Sequence, residues 1–373
     1  MIEAKENCCG CVACMYVCPK ECISIKVDRI GNFYRVIDKN KCVSCGRCSR
    51  VCPTENVSNY NDCQSAYIAY NPSKAVVRKS ASGGIAATIY RYCLNRNIDC
   101  VGVHYTKSLR AEYDFIKDIA QIDEFVSSKY VHSYMGKIYE KMQKKLKLGR
   151  KVVFIGLPCH VAAVKNIFGC DNPNLICIDL VCHGVVPERY LREHITRIKN
   201  IDKKKIKIIN FREPDNQYGL SLRDEKGKLL YQTKRSEDEY MMGFCHEITY
   251  QEPCYICPYA TQKRSSDITL KDFAKYDKKY WKQMPYGISN VLINTKKGED
   301  FFKQISNELH ISEYPVQNVI EEDKRLQGNF HNKNSRKRRL FLKCYPVLGF
   351  DWAIRVLFCK QYLKNLRDKR EGN

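Results

Sequence analysis

Residues 8–19 read CCGCVACMYVCP, and residues 42–53 read CVSCGRCSRVCP. Both follow C-x2-C-x2-C-x3-C-P: Cys8, Cys11, Cys14, Cys18 and Pro19, then Cys42, Cys45, Cys48, Cys52 and Pro53, offset by 34 residues. In such a run three cysteines hold one [4Fe–4S] cubane and the fourth ligates the other cluster. The pattern assigns Cys8, Cys11, Cys14 and Cys52 to one cluster and Cys42, Cys45, Cys48 and Cys18 to the second. Two-residue gaps let a tight loop wrap three thiolates around a corner of the cube, and proline fixes the chain as it leaves. Zinc usually takes its four ligands as two pairs, which fits these runs poorly. Cys9 and Cys22 fall outside the pattern and read as small packing residues. Between the repeats, ISIKVDRIGNFYRVID has hairpin patterning with Gly31-Asn32 as its turn.

A chain of 373 residues with 44% hydrophobic content has room for two or three domains and a buried core, which excludes disordered and fibrous classes. The start, MIEAKENCCG, shows no basic and apolar leader, and no apolar run reaches membrane-spanning length. The expected location is therefore cytoplasmic, where clustered members of the 22 cysteines turn to metal and not to disulfides. Net charge is +23, but residues 324–373 alone hold 14 Lys/Arg against 3 Asp/Glu. The charge sits in a tail and not around the motifs. In that tail Phe350, Ile354, Phe358, Tyr362 and Leu366 recur every fourth residue, with Arg355, Lys360, Lys364 and Arg367 between them. Either this is a basic amphipathic helix in peripheral contact with the inner face of a membrane, or its stripe packs on the body. Nucleic acid is disfavoured, because Arg336–Arg339 lacks interleaved aromatics.

From Cys63 onward short β-type runs alternate with helical patterns. AYIAY (66–70), DCVGVHY (99–105), KVVFIGLP (151–158) and NLICIDLV (174–181) read as strands; MGKIYEKMQKKLKLG (135–149) reads as a helix with a glycine cap. The expected fold class is α+β and α/β: an N-terminal dicluster ferredoxin-like domain followed by an open α/β domain. The expected division is 1–60, 61–145, 146–310 and a basic helical tail at 311–373. Ligands of open α/β sheets gather beyond the carboxyl ends of strands. There the sequence places Cys159 and His160 in GLPCH, and Cys182 and His183 in VCHG, while Cys254 and Cys257 follow in EPCYICPYA. On residues alone these four cysteines divide evenly between a third cluster and structural thiols. The two histidines stay open between base and packing residue. SASGG (80–84) reads either as an N-cap and turn or as a phosphate cradle.

SASGG, SSKYVHS (127–133), GLPCHVAAVK (156–165), CHGVVP (182–187), CYICPYATQKRSSDITLKDF (254–273) and GISNVLINTKKG (287–298) together resemble the coenzyme F-420 hydrogenase/dehydrogenase beta-subunit family, in its version with an N-terminal dicluster ferredoxin domain. The resemblance implies a flavin-binding α/β protein with its own [4Fe–4S] near the flavin, FAD in preference to FMN. It makes Cys159, Cys182, Cys254 and Cys257 the third-cluster ligands. Ser80, Ser82, Gly83 and Gly84 become contacts of the flavin phosphate or ribityl chain, with Ser128, Lys129 and Tyr130 as further flavin contacts. A lysine there would stabilise a reduced, anionic flavin. Two departures stand out: Lys271-Asp272-Phe273-Ala274-Lys275 replaces the family's Gly-Asp-Phe-Trp-Gly string, and His160 replaces a glutamine. The layout is similar to that of a bacterial subgroup from surface-polysaccharide loci, which implies a polysaccharide-related reduction. The function so implied is an iron–sulfur flavoprotein oxidoreductase. Electrons pass from the N-terminal clusters through the third to the flavin, and on to a partner protein or small acceptor; no catalytic residue is assigned. Two alternatives stand beside it. One is a non-catalytic electron-transfer subunit of a larger complex; the other is a zinc-stabilised module that binds anionic polymers.

Overall fold

The computed structural model describes residues 2–4, 7–57, 61–213, 217–273, 284, 286–328 and 335–361. A small N-terminal sheet pairs strands β1 (Ile2–Ala4), β2 (Ile23–Val27) and β3 (Phe33–Ile37) antiparallel in the order β1-β3-β2. The hairpin of β2 and β3 is the one expected, but its loop is wider than Gly31-Asn32. The Asp28 carboxylate accepts from the amides of Ile30 and Asn32 at 2.9 and 2.8 Å and folds residues 28–32 around itself.

The main sheet takes β4 (Ser65–Tyr70), β5 (Asp99–Tyr105), β6 (Ala111–Phe115), β7 (Val152–Gly156) and β8 (Leu175–Leu180). A further antiparallel sheet holds β9 (Ile208–Glu213), β10 (Gln217–Arg223) and β11 (Leu229–Lys234). The chain then returns to the main sheet with β12 (Ile268–Asp272), β13 (Ser289–Ile293) and β14 (His310–Tyr314). The resulting order is β14-β4-β13-β12-β8-β7-β5-β6. Its centre, β12-β8-β7-β5, is parallel, and antiparallel strands extend both edges. All five residues of β7 are buried. Burial on both faces is why the central strands read as unbroken apolar runs.

Successive side chains of β7 point to opposite layers. Val153 and Ile155 pack with helices Ile85–Asn95 and Lys296–Ile305, whereas Val152 and Phe154 pack with helices Ile138–Lys147 and Pro158–Phe168. Cys11, Ala13 and Val51 of the repeat join this second layer. The N-terminal module is therefore seated on the α/β body. The sequence reading contained neither the β9–β11 sheet nor β14, which occupies the start of the segment expected as a helical tail. That segment does close with helices Arg336–Leu348 and Phe350–Leu357. The stripe residues Phe350, Ile354 and Phe358 are buried in the core beside β9–β11, so they are packing residues and not a lipid face. Tyr362, Lys364, Leu366 and Arg367, like Ala274 and Lys275, lie outside the described residues. Among the described residues no helix is long and apolar enough to cross a membrane.

Candidate redox site

The cysteine repeat is also a repeat of backbone shape. Gly10 and Val12 (φ +70° and +53°) flank Cys11, and Ser44 and Gly46 (φ +52° and +69°) flank Cys45. Left-handed geometry is costly at a β-branched residue such as Val12, so the loop keeps a shape that a free turn would avoid. Cys8, Cys11, Cys14 and Cys52 line one small recess with Arg35 and Cys9. The last cysteine of the second run thus joins three of the first, as the spacing demands. Cys18, Cys42 and Cys48 pack against Cys14, Cys22, Ile23 and Ile37, while Cys45 is exposed on its loop. Cys22 lies beside this second set, its Sγ 3.4 Å from that of Cys18. Burial pushes the Cys8 thiol up to about 12 and raises Cys14 as well, while the Arg35 guanidinium opposes both shifts. Such thiols become thiolates only against bound positive charge.

The other four cysteines converge from three segments. Cys159 opens the helix after β7, Cys182 follows β8, the strand beside it, and Cys254 and Cys257 lie on the turn Glu252–Ile256 and its end. They sit close enough to repel as thiolates: Cys257, Cys182 and Cys254 each raise Cys159, and Cys182 and Cys257 raise Cys254. Arg264 supplies the clamp. Its guanidinium meets the Asp179 carboxylate at 2.6 Å and donates to the carbonyls of Tyr259, Thr261 and Leu180. It thereby ties the loop after Cys257 to the strand end before Cys182. Arg325 donates to the Cys182 carbonyl at 3.4 Å. Burial raises the Cys182 and Cys257 thiols, and the charges of Arg325 and Arg264 pull both back. Among the described residues no three His, Cys, Asp or Glu side chains close on a single ion's position.

The two groups abut at Cys9. Its thiol lies close enough to those of Cys11 and Cys159 to perturb the titration of both, and it lines the recess of the first group. Its backbone is fixed too: the Cys9 carbonyl pairs with His132 Nε2 at 3.2 Å, and the Cys11 carbonyl accepts from the Tyr139 hydroxyl at 2.9 Å. A Cβ on Gly10 would stand 2.6 Å from Phe33 and 2.8 Å from His132, so glycine permits this approach. His160 is buried with Nδ1 3.1 Å from the Tyr113 hydroxyl, which also receives the Leu157 amide. It braces the turn before Cys159. His183 is half exposed and lies 3.8 Å from Asp323.

The residues assigned to flavin form a separate constellation. Ser80 Oγ donates to the Val76 carbonyl, Ser82 Oγ to the Ile288 carbonyl, and the Gly83 amide to Ser289 Oγ at 3.0 Å. Gly84 (φ +80°) caps helix Ile85–Asn95. Lys129 turns inward, its Nζ donating to the Val126 carbonyl at 2.7 Å, and burial lowers its pKa to about 7. Burial raises the pKa of the Tyr130 hydroxyl, and the neighbouring Arg212 and Ser128 oppose that shift. The joining residue is Arg212 on β9, which carried no sequence signal. It donates to the Ala81 carbonyl (2.6 Å), the Tyr130 hydroxyl (2.8 Å), the Tyr218 hydroxyl (2.7 Å) and the Asp272 carboxylate. Segments 80–84, 127–133 and 268–273 therefore meet on one guanidinium. A ladder of rings leads there from the third cysteine group. Gly184 approaches the Tyr250 ring, Tyr250 lies 5.3 Å from Phe244, and Phe244 stacks on Tyr130 at 4.3 Å.

Residues 149–318 match the family model for the C terminus of the coenzyme F420 hydrogenase/dehydrogenase beta subunit, and residues 35–58 match the model of a 4Fe-4S binding domain. No curated protein matches the chain. Among solved structures, the F420-reducing [NiFe] hydrogenase complex from Methanosarcina barkeri aligns at 18% identity and a TM-score of 0.47, over 83% of this chain and 92% of that one.

Proposed function

From a chain whose residues 149–318 match the C-terminal model of the coenzyme F420 hydrogenase/dehydrogenase beta subunit, and whose residues 35–58 match a 4Fe-4S binding domain, we propose an iron–sulfur flavoprotein oxidoreductase. Cys8, Cys11, Cys14 and Cys52 would hold one [4Fe–4S] cluster, and Cys18, Cys42, Cys45 and Cys48 a second. Cys159, Cys182, Cys254 and Cys257 would hold a third. FAD is assigned to the constellation of Ser80, Ser82, Gly83, Gly84, Ser128, Lys129 and Tyr130. When bound, the clusters would move electrons singly and the flavin would gather two for release as a hydride.

The observation that carries this reading is the junction at Cys9. A protein that only stored clusters has no need to press two cysteine groups against one shared thiol. Cys45 is exposed, which suits approach of a donor protein to the second set, Cys9 lies between the first and third groups, and Tyr250, Phe244 and Tyr130 span the distance to Arg212. Arg264 and Arg325 face the third group with positive charge, which favours its electron-rich state. The acceptor is a partner protein or a small molecule, and surface-polysaccharide metabolism is the setting the layout suggests.

One observation favours the second reading, an electron-transfer subunit without flavin. The Ser82 hydroxyl, the Gly83 amide and the Lys129 ammonium already donate within the protein. Anaerobic purification with iron, sulfide and flavin measured on one sample separates the two. About twelve irons with one flavin per chain supports the flavoprotein; about twelve irons without flavin supports the electron-transfer reading.

A further inference from the structure

Helices Arg336–Leu348 and Phe350–Leu357 meet at Gly349 (φ +73°) and present two unlike faces. The inner face belongs to the core. Phe341, Tyr345, Phe350, Ala353 and Ile354 are buried, and Asp351 holds His194 at 2.8 Å. Buried Arg338 donates to the Ile248 carbonyl at 2.6 Å and to the Tyr255 hydroxyl at 2.8 Å. These contacts fix the pair rigidly on the body.

The outer face is apolar and cationic at once. Leu340 (41% exposed), Val347 (83%), Leu348 (39%), Trp352 (53%) and Val356 (44%) are five of the fourteen exposed large hydrophobic residues among those described. That concentration is far above a scattering of single surface residues. Arg336, Arg339, Lys343 and Lys360 are exposed around them with no acidic partner among the described residues. From Ser335 to Gln361 the one acid is Asp351, and it is buried. Helix chemistry does not account for the cations, because Arg336, Lys337 and Arg339 occupy a first turn where the dipole disfavours positive charge. Protein interfaces accept tryptophan and arginine but are depleted of lysine, and this face carries Lys343 and Lys360 as well. Tryptophan and aliphatic side chains ringed by Lys and Arg are the composition of a surface resting at the headgroup boundary.

We infer that this outer face docks on an anionic lipid bilayer. Val347, Leu348 and Trp352, grouped at the Gly349 corner, enter the interface, and Arg336, Arg339, Lys343 and Lys360 meet lipid phosphates. The residues differ from the four-residue stripe of the sequence, whose described members are buried. The inference stands apart from the redox reading, and it does not depend on which cofactors the protein holds.

The test is co-sedimentation of the full-length protein with vesicles of phosphatidylcholine alone and of phosphatidylcholine doped with phosphatidylglycerol. The protein is expected to partition onto the doped vesicles and to leave them as salt is raised. A Val347→Ser/Trp352→Ser protein should partition about tenfold less, and Arg336→Gln/Arg339→Gln/Lys343→Gln at least about tenfold less. All five side chains are exposed, so these variants keep the fold, and a Lys296→Gln control should bind as wild type. Failure of the wild type to sediment with the doped vesicles overturns the inference. So does a Val347→Ser/Trp352→Ser protein that binds undiminished, or loss of the outer face to a stable second copy of the chain.

Discussion

The two cysteine groups that meet at Cys9 are built by opposite means. Cys8, Cys11 and Cys14 stand in one seven-residue loop, whereas Cys159, Cys182, Cys254 and Cys257 come from three segments spread over 99 residues. The first needs little beyond its own backbone: alternating left-handed residues turn the chain around the recess, and Cys52 arrives through the repeat. The second exists only where the parallel strands β7 and β8 end side by side and Arg264 pins the loop of Cys254 and Cys257 to them. A contiguous group is therefore robust and local, and a dispersed one reports on the whole fold. Joining them through Cys9 makes the stability of the body a condition for coupling.

The difference can be broken most severely at the clamp. Arg264→Ala leaves Asp179 buried without its partner, both side chains being at most 2% exposed in the native protein. Thermal or denaturant unfolding should show a loss of about 3–5 kcal/mol. Iron should fall only at the dispersed group, by about four per chain. Equal loss from both groups would mean that they are not independently built.

A milder change tests the seat between them. Gly10→Ala puts a Cβ at φ +70°, 2.6 Å from the Phe33 ring. The expected cost is about 2 kcal/mol, read by denaturant titration, with slower electron passage between the groups and both complements of iron retained. Unchanged stability would show that the loop can retreat from His132.

The smallest structural change acts on the junction alone. Cys9→Ala should leave iron, sulfide and stability near wild type. In stopped-flow reduction by dithionite the N-terminal clusters should bleach as before, while the third group is reduced about tenfold more slowly. Loss of about four irons would instead make Cys9 a ligand, and wild-type kinetics would remove it from the path.

What the sequence disclosed follows the same division. The repeat is legible in the sequence because its cysteines, glycines and prolines lie within a dozen positions, and the structure brings Cys52 to Cys8, Cys11 and Cys14. The central strands were legible as apolar runs because both faces are covered. Arg212 was not, since "NFREPD" carries no motif and its partners Ala81, Tyr130 and Asp272 lie 60 to 131 residues away. The spacing pattern gives Cys9 no place, and only the fold shows it lining the first recess beside Cys159. In the tail, four-residue periodicity correctly marked a helix face, but periodicity does not say whether that face meets the core or a membrane. The described part of the stripe went to the core, which left the exposed set of Leu340, Val347 and Trp352 unannounced.

The most direct test of the central claim, that the fold assembles a third redox centre from distant cysteines, is iron counted in parallel on anaerobically purified wild-type and Cys257→Ala protein. The account predicts about twelve irons per chain in the first and about eight in the second, with the ferredoxin-type clusters intact in both. Equal iron in the two proteins would contradict it.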